Sequence, residues 1–129
     1  MAGLVVDSSS WVSYLAGGGT RQEIDAALAE VRLFLPPVVA AELLSGRLGR
    51  RELAALQDLL SRLPLCPAGR AHWYRVGRLR TALSARGLSV SIPDAHVAQC
   101  ALDLGAELLT EDRVFRSVAR HAPLRLAGA

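Results

Sequence analysis

Short apolar runs that end where the chain must turn, alternating with longer stretches of helical periodicity, leave this sequence few folds. Residues 3–6 (GLVV), 33–35 (LFL) and 107–109 (ELL) are such runs. Apolar runs of this kind, without polar alternation, suit strands buried on both faces, as in a parallel sheet covered by helices. Parallel neighbours need long crossovers, and the intervening segments supply them. DSSS at 7–10 offers N-caps for a helix with Trp11, Val12 and Leu15 on its apolar face; Gly17, Gly18 and Gly19 stop it, and Thr20 caps a second helix to about residue 31. Pro36 and Pro37 open a helix that runs to Gly46 and carries Glu42 among Val39, Ala40, Leu43 and Leu44. Residues 50–62 have amphipathic spacing through Leu53, Leu56, Leu59 and Leu60, and 63–66 make a short strand between the irregularities at Pro64 and Pro67. A long helix over 69–86 carries Trp73, Val76, Leu79 and Leu83 and stops at Gly87. After a loop over 88–92, Pro93 and Asp94 open a helix that Gly105 ends; residues 110–112 open a last helix, and 123–126 form a terminal strand. The expected architecture is α/β: one domain over 1–129, three layers, with a mostly parallel central sheet of four or five strands.

Composition narrows the chemistry. All 15 basic residues are Arg, and the absence of Lys excludes mechanisms that need an ammonium group: a P-loop ATPase, a response-regulator receiver, a Schiff-base enzyme, a haloacid-dehalogenase-type phosphatase. Cys66 and Cys100 lack metal-ligand spacing and sit in apolar surroundings, which predicts reduced core thiols. The start has no basic segment before its short apolar run, and no later stretch reaches membrane-spanning length, so a cytoplasmic protein is expected.

Asp7, Glu42, Asp94 and Asp112 each interrupt an apolar stretch or follow one, in LVVDSSS, VVAAELL, SIPDAHVAQCA and ELLTEDRVF. Carboxylates beside buried aliphatics are costly to desolvate unless paired or bound to a metal. A hard divalent cation shared among them is one common explanation. Helix capping is the ordinary alternative for Asp7, Asp94 and Asp112 taken singly. It does not serve Glu42, which lies mid-helix. Setting those four aside, 15 Arg face 8 other acids, so the rest of the surface carries +7, which suits a polyanion approaching an acidic pocket.

The segments LVVDSSSWVSYL, PPVVAAELLSG, PDAHVAQCALDLGAELLT and EDRVF, in this order and spacing, resemble the PIN-domain ribonucleases, and among them the VapC-type toxins of bacterial toxin–antitoxin pairs. The resemblance spans nearly the whole chain. It implies that Asp7, Glu42, Asp94 and Asp112 bind Mg²⁺, for which Mn²⁺ can substitute. It also implies that a metal-activated water cleaves RNA to leave 5′-phosphate and 3′-hydroxyl ends, that a cognate antitoxin inhibits the enzyme, and that the chain forms a homodimer. Ser9 and Thr110 match small polar positions beside the acids, as orienting groups or as plain caps. Many relatives carry another Asp where this chain has Val114, which removes a ligand for a second ion; Glu111 is a partial substitute. Arg113 and Arg116 are candidate phosphate contacts, and Trp11 or Tyr14 candidate stacking surfaces. Trp11, Tyr14, Leu15, Leu44 and Leu48 are candidates for a patch that the antitoxin covers, with ordinary core packing as the alternative. His72, His96 and His121 lack the neighbours of a histidine-based nuclease, and His96 is expected to be a surface or packing residue. Two other functions stay open: a catalytically weakened RNA-binding or adaptor domain, and a metal-dependent phosphatase or DNA nuclease on a similar sheet.

Overall fold

The computed structural model describes residues 2–18 and 21–128; the expected stop at Gly19 and cap at Thr20 lie outside them. Four strands, β1 (Leu4–Val6), β2 (Leu33–Phe34), β3 (Glu107–Leu109) and β4 (Arg125–Leu126), form one sheet in the order β2-β1-β3-β4. Every pairing is parallel, with Leu4 opposite both Leu33 and Glu107, and Leu108 opposite Leu126. Among the described residues seven helices flank the sheet: α1 (Ser8–Leu15), α2 (Arg21–Ala29), α3 (Pro37–Leu44), α4 (Arg50–Ser61), α5 (Arg70–Ser84), α6 (Ile92–Leu104) and α7 (Val114–His121). This is the three-layer α/β/α arrangement that the alternation of elements predicts.

The fifth strand expected over 63–66 is reduced to one parallel bridge, Leu35 with Leu65. The Leu35 N–H donates to the Pro64 carbonyl and the Cys66 N–H to the Leu35 carbonyl, both at 2.9 Å. Pro64 has no N–H with which to extend the ladder.

The helices differ in detail from the sequence expectations. Ser91 is the N-cap of α6, its Oγ accepting the Asp94 N–H at 3.2 Å, so the helix begins at Ile92 and Asp94 sits inside its first turn. Gly105, at φ 60°, closes α6 in the left-handed conformation that favours glycine. The last helix starts at Val114, later than expected. α6 is buried continuously from Ala95 to Ala101 and packs against α3, α5, α7, β1 and β3. A helix enclosed in this way is held on several sides, and it carries Asp94 at its start.

Trp11 takes the core-packing alternative over the stacking and docking ones. It is wholly buried, while Val12 and Leu15 on the same helix are 59% and 51% exposed. The indole is core, neither a stacking surface nor part of a docking patch. Cys66 and Cys100 are buried free thiols, as expected.

Candidate functional site

The chain leaves β1 for β2 on one side and later returns to β3 on the other, so the order of connection reverses between β1 and β3. Parallel α/β sheets bind ligands beyond the carboxyl ends of the strands at such a point. Asp7 follows β1 and Thr110 follows β3, and the Asp7 N–H donates to the Leu109 carbonyl at 2.9 Å, which ties the two strand ends together.

Asp7 occupies the N-cap position of α1, yet its side chain makes no cap bond. Its buried carboxylate instead accepts two hydroxyls at one oxygen, Oδ2: Ser9 Oγ at 3.1 Å and Thr110 Oγ1 at 3.0 Å. Each hydroxyl also accepts a backbone N–H from the loop after β3, Ser9 from Glu111 and Thr110 from Asp112, both at 3.0 Å. Ser9 and Thr110 thus spend their hydrogens on Asp7 and their lone pairs on that loop. No hydrogen bond of the described residues reaches Asp7 Oδ1.

Glu42 projects from α3 and is largely exposed, but partial burial, and then the charge of Asp7, push its carboxyl above the ordinary value of 4.5; Asp94 adds to the rise and a Ser8 hydrogen bond opposes it. Asp94 is half-buried at the start of α6. Burial raises its carboxyl above 3.8, a hydrogen bond with Ser91 opposes this, and the charges of Asp7 and Asp112 raise it further. Asp7 and Asp94 thus act on Glu42, and Asp7 and Asp112 on Asp94, which links the four acids electrostatically. Asp112 is exposed, and its Oδ1 accepts the Val114 N–H at 3.0 Å, so one of its oxygens does cap the start of α7.

No ion pair reaches any of the four acids among the described residues; the pairs formed are Arg32–Glu30, Arg62–Asp58 and those of His72 and Arg75 with Asp103. An all-oxygen donor set whose members repel one another, with no internal cation, fits a hard divalent ion. Beside it, Thr110, Glu111, Asp112 and Arg116 line a cleft of about 190 Å³. Val114 is half-buried and packs against the core, so it offers no ligand.

One polar assembly went unread in the sequence. His96, expected on the surface or in packing, is wholly buried and bonds through Nδ1 to His72 Nε2 at 2.7 Å, while His72 Nδ1 bonds to Asp103 Oδ2 at 2.8 Å. Burial, then the neighbouring His72, lower the His96 imidazole to about 4, so it is neutral at physiological pH. Burial pushes the Asp103 carboxyl up, but hydrogen bonds from Arg75, His72 and Gln99 bring it down to about 2. A hydrogen bond with Cys66, and burial, hold the nearby Cys100 thiol protonated. The available signal was the polar stripe His96, Gln99, Asp103 at helical spacing along an otherwise apolar helix.

The fold and the site define the class: an open parallel α/β sheet with carboxylates that, among the described residues, lack ion-pair partners at its switch point. The PIN domain family profile matches residues 4–121. The chain is 30% identical over 130 residues to VapC ribonuclease Mb1587 of Mycobacterium bovis, covering 96% of this chain and 97% of the relative. The same figures hold for ribonuclease VapC11 of Mycobacterium tuberculosis. Its fold is similar to that of DNA-bound VapBC from Salmonella typhimurium, with a TM-score of 0.80 at 19% identity over 98% of this chain and 97% of that one. VapBC2 from Rickettsia felis, bound to a fragment of promoter DNA, gives 0.76 at 22% identity over 95% and 96%. The chain belongs to the PIN domain family, in its VapC-type branch.

Proposed function

We propose that this chain is a divalent-metal-dependent endoribonuclease that acts as the toxin of a toxin–antitoxin pair. The observation that carries the reading is the gathering of Asp7, Glu42, Asp94 and Asp112 without a compensating cation, in a chain 30% identical along nearly its whole length to VapC ribonucleases.

In this reading the four carboxylates hold Mg²⁺, or Mn²⁺ in its place. When bound, the ion supplies a Lewis acid that activates water and neutralises charge developing on the scissile phosphate. The protein's part is positional. Ser9 and Thr110 fix Asp7 through Oδ2 and leave Oδ1 for the ligand. Asp94, inside a helix that Ser91 caps, is released from capping and faces Asp7 and Asp112. Arg116, on the wall of the cleft that holds Asp112, is placed to contact a neighbouring RNA phosphate. With Val114 in place of a further acid, a second ion has fewer direct ligands.

The antitoxin would seat on a groove of about 410 Å³ between α3 and α4, lined by Leu35, Ala40, Leu44, Leu60, Leu63 and Leu65. The VapBC structures of like fold support a second chain as partner. A homodimer is the expected assembly of the toxin itself.

Asp94→Asn tests the reading. The variant should fold, since Ser91 rather than Asp94 caps the helix, and should lose nearly all Mn²⁺-dependent cleavage of an RNA pool. Wild-type cleavage that persists in EDTA would overturn the metal mechanism. The adaptor reading, which Val114 favours, takes its place if the wild type binds Mn²⁺ and RNA yet cleaves nothing.

A further inference from the structure

The His72–His96 assembly runs between three helices, and the chemistry of its ends fixes its direction. At one end the Asp103 carboxylate accepts four bonds: Arg75 Nε and Gln99 Nε2 at Oδ1, both at 2.8 Å, and Arg75 Nη2 at 2.9 Å and His72 Nδ1 at 2.8 Å at Oδ2. A carboxylate so engaged only accepts, so His72 carries its proton on Nδ1 and Nε2 is an acceptor. His96 must then donate from Nδ1, which leaves its Nε2 as an acceptor. The group facing His96 Nε2 is the Val38 backbone N–H, at 3.5 Å, a group that only donates. Both ends demand the same polarity, and one chain of donors runs Val38 to His96 to His72 to Asp103. All four ring nitrogens are used.

This arrangement is not a metal site in waiting. His72 Nε2 and His96 Nδ1 are 2.7 Å apart, whereas two nitrogens on a tetrahedral zinc ion stand about 3.3 Å apart. The protonated Cys100 Sγ, 3.7 Å from His96 Nε2, is a second, weak donor to that nitrogen and agrees with its acceptor role.

The Val38 end matters because α3 cannot cap itself. Its N-cap is Pro36, which offers no side-chain acceptor, and Pro37 has no N–H, so Val38 carries the first orphan donor of the helix. The acceptor it meets is a ring nitrogen from α6, at the long distance of 3.5 Å. Glu42 lies four residues on, about 6 Å along α3, and Asp94 precedes His96 by two residues, about 3 Å along α6. Apolar contacts through Val39 and Leu43 hold α3 in place but tolerate sliding; a directional bond between the helices does not.

We infer that His96 is a positioning residue of the acid site: its bond to Val38 fixes the first turn of α3 against α6 and so sets the spacing of Glu42 from Asp94, while His72, held by Asp103, keeps the imidazole in the tautomer that bond needs. The inference rests on the reading of the four acids as a metal site.

His96→Asn and His96→Gln divide the two roles of the ring. The Asn amide reaches the Nδ1 position and keeps the link to His72 but falls short of Val38; the longer Gln can present Oε1 to the Val38 N–H. Both should lose stability. Only His96→Asn should speed amide exchange at Val38, and only His96→Asn should weaken Mn²⁺ binding, measured calorimetrically, by about tenfold. A merely structural role would make Mn²⁺ affinity follow stability in both variants. Unchanged Val38 exchange in His96→Asn, or wild-type Mn²⁺ affinity despite faster exchange, overturns the inference. Should the variants fail to fold, proton–nitrogen correlation of the wild-type imidazoles decides, since a neutral tautomer protonated at Nε2 on either ring breaks the chain. Asp94→Asn separates the levels. If it abolishes Mn²⁺ binding while His96→Asn leaves it intact, only the positioning role fails; if Asp94→Asn binds Mn²⁺ normally, the metal-site reading fails with it.

Discussion

Thr110→Val, Ser9→Ala and their combination test whether Asp7 is held as a ligand or merely caps α1. Asp7 is 5% exposed and no ion pair reaches it among the described residues, so two hydroxyls at 3.0 and 3.1 Å supply the hydrogen bonds seen at its Oδ2. A hydrogen bond to a charged group contributes about 1.5–3 kcal/mol, while the backbone N–H groups of exposed Glu111 and Asp112 can turn to water. Each single variant should therefore lose about 2 kcal/mol in urea unfolding without divalent ions, or roughly 8 °C in melting temperature for a chain of this size. The hydroxyls share one oxygen and lie 3.3 Å apart, so each partly covers the loss of the other. Removing both should cost more than the two single losses together, by at least about 0.5 kcal/mol. Mn²⁺ affinity should drop about 10-fold to 100-fold, as when an outer partner of a metal ligand is deleted. Strictly additive losses with unchanged Mn²⁺ affinity would show that these hydroxyls do not orient the carboxylate for a ligand.

Folding raises the pKa values of Glu42 and Asp94, so their protonated forms stabilise the fold at low pH, a contribution lost as pH rises through the raised values. The metal-free double variant Glu42→Gln, Asp94→Asn should thus gain on the wild type as pH climbs past the ordinary 4.5 and 3.8, and added Mn²⁺ should reverse the order; paired melting curves across pH check both. Val31 is a β-branched residue at φ 54°, 84% exposed, so Val31→Gly or Val31→Asn should relieve strain and raise stability by about 1 kcal/mol in urea unfolding. If the proposed antitoxin seats on the α3–α4 groove, Leu65→Arg, at a 57% exposed position there, should weaken its capture at least tenfold while sparing RNA cleavage, which a pull-down paired with a cleavage assay separates.

The sequence was most legible where its signals are local. Apolar runs marked the strands, Gly87 and Gly105 marked helix ends, and each candidate acid could be named because it broke a hydrophobic pattern. It was less legible where a residue's role depends on what lies opposite. Trp11 and Leu15 share a helical spacing, yet the first enters the core and the second faces solvent, because α1 is short and Leu15 stands on its final turn. Ser91 rather than Asp94 caps α6, which no count of polar residues before Pro93 could settle. The strand expected over 63–66 kept one bridge because prolines remove its donors. The His72–His96 chain joins residues 24 apart in sequence, and its ends, Val38 and Asp103, lie on different helices.

α6 gives two aspartates opposite treatment. Asp103, near its end, is gripped by Arg75, His72 and Gln99 and brought down to about 2; its charge is satisfied within the fold. Asp94, near its start, shares that helix but meets partial burial and other acids, against a single opposing hydrogen bond with Ser91, and its carboxyl rises. A chain with 15 arginines does not lack cations to place beside Asp94. Arg80, on the neighbouring helix, bonds instead to the Val90 carbonyl at 2.8 Å. Neutralising Asp94 internally would stabilise the metal-free protein; in the proposed metal-site reading, leaving it uncompensated costs stability that a cation would restore on binding the native state. That contrast within a single helix separates an acid that serves the fold from one positioned for a ligand.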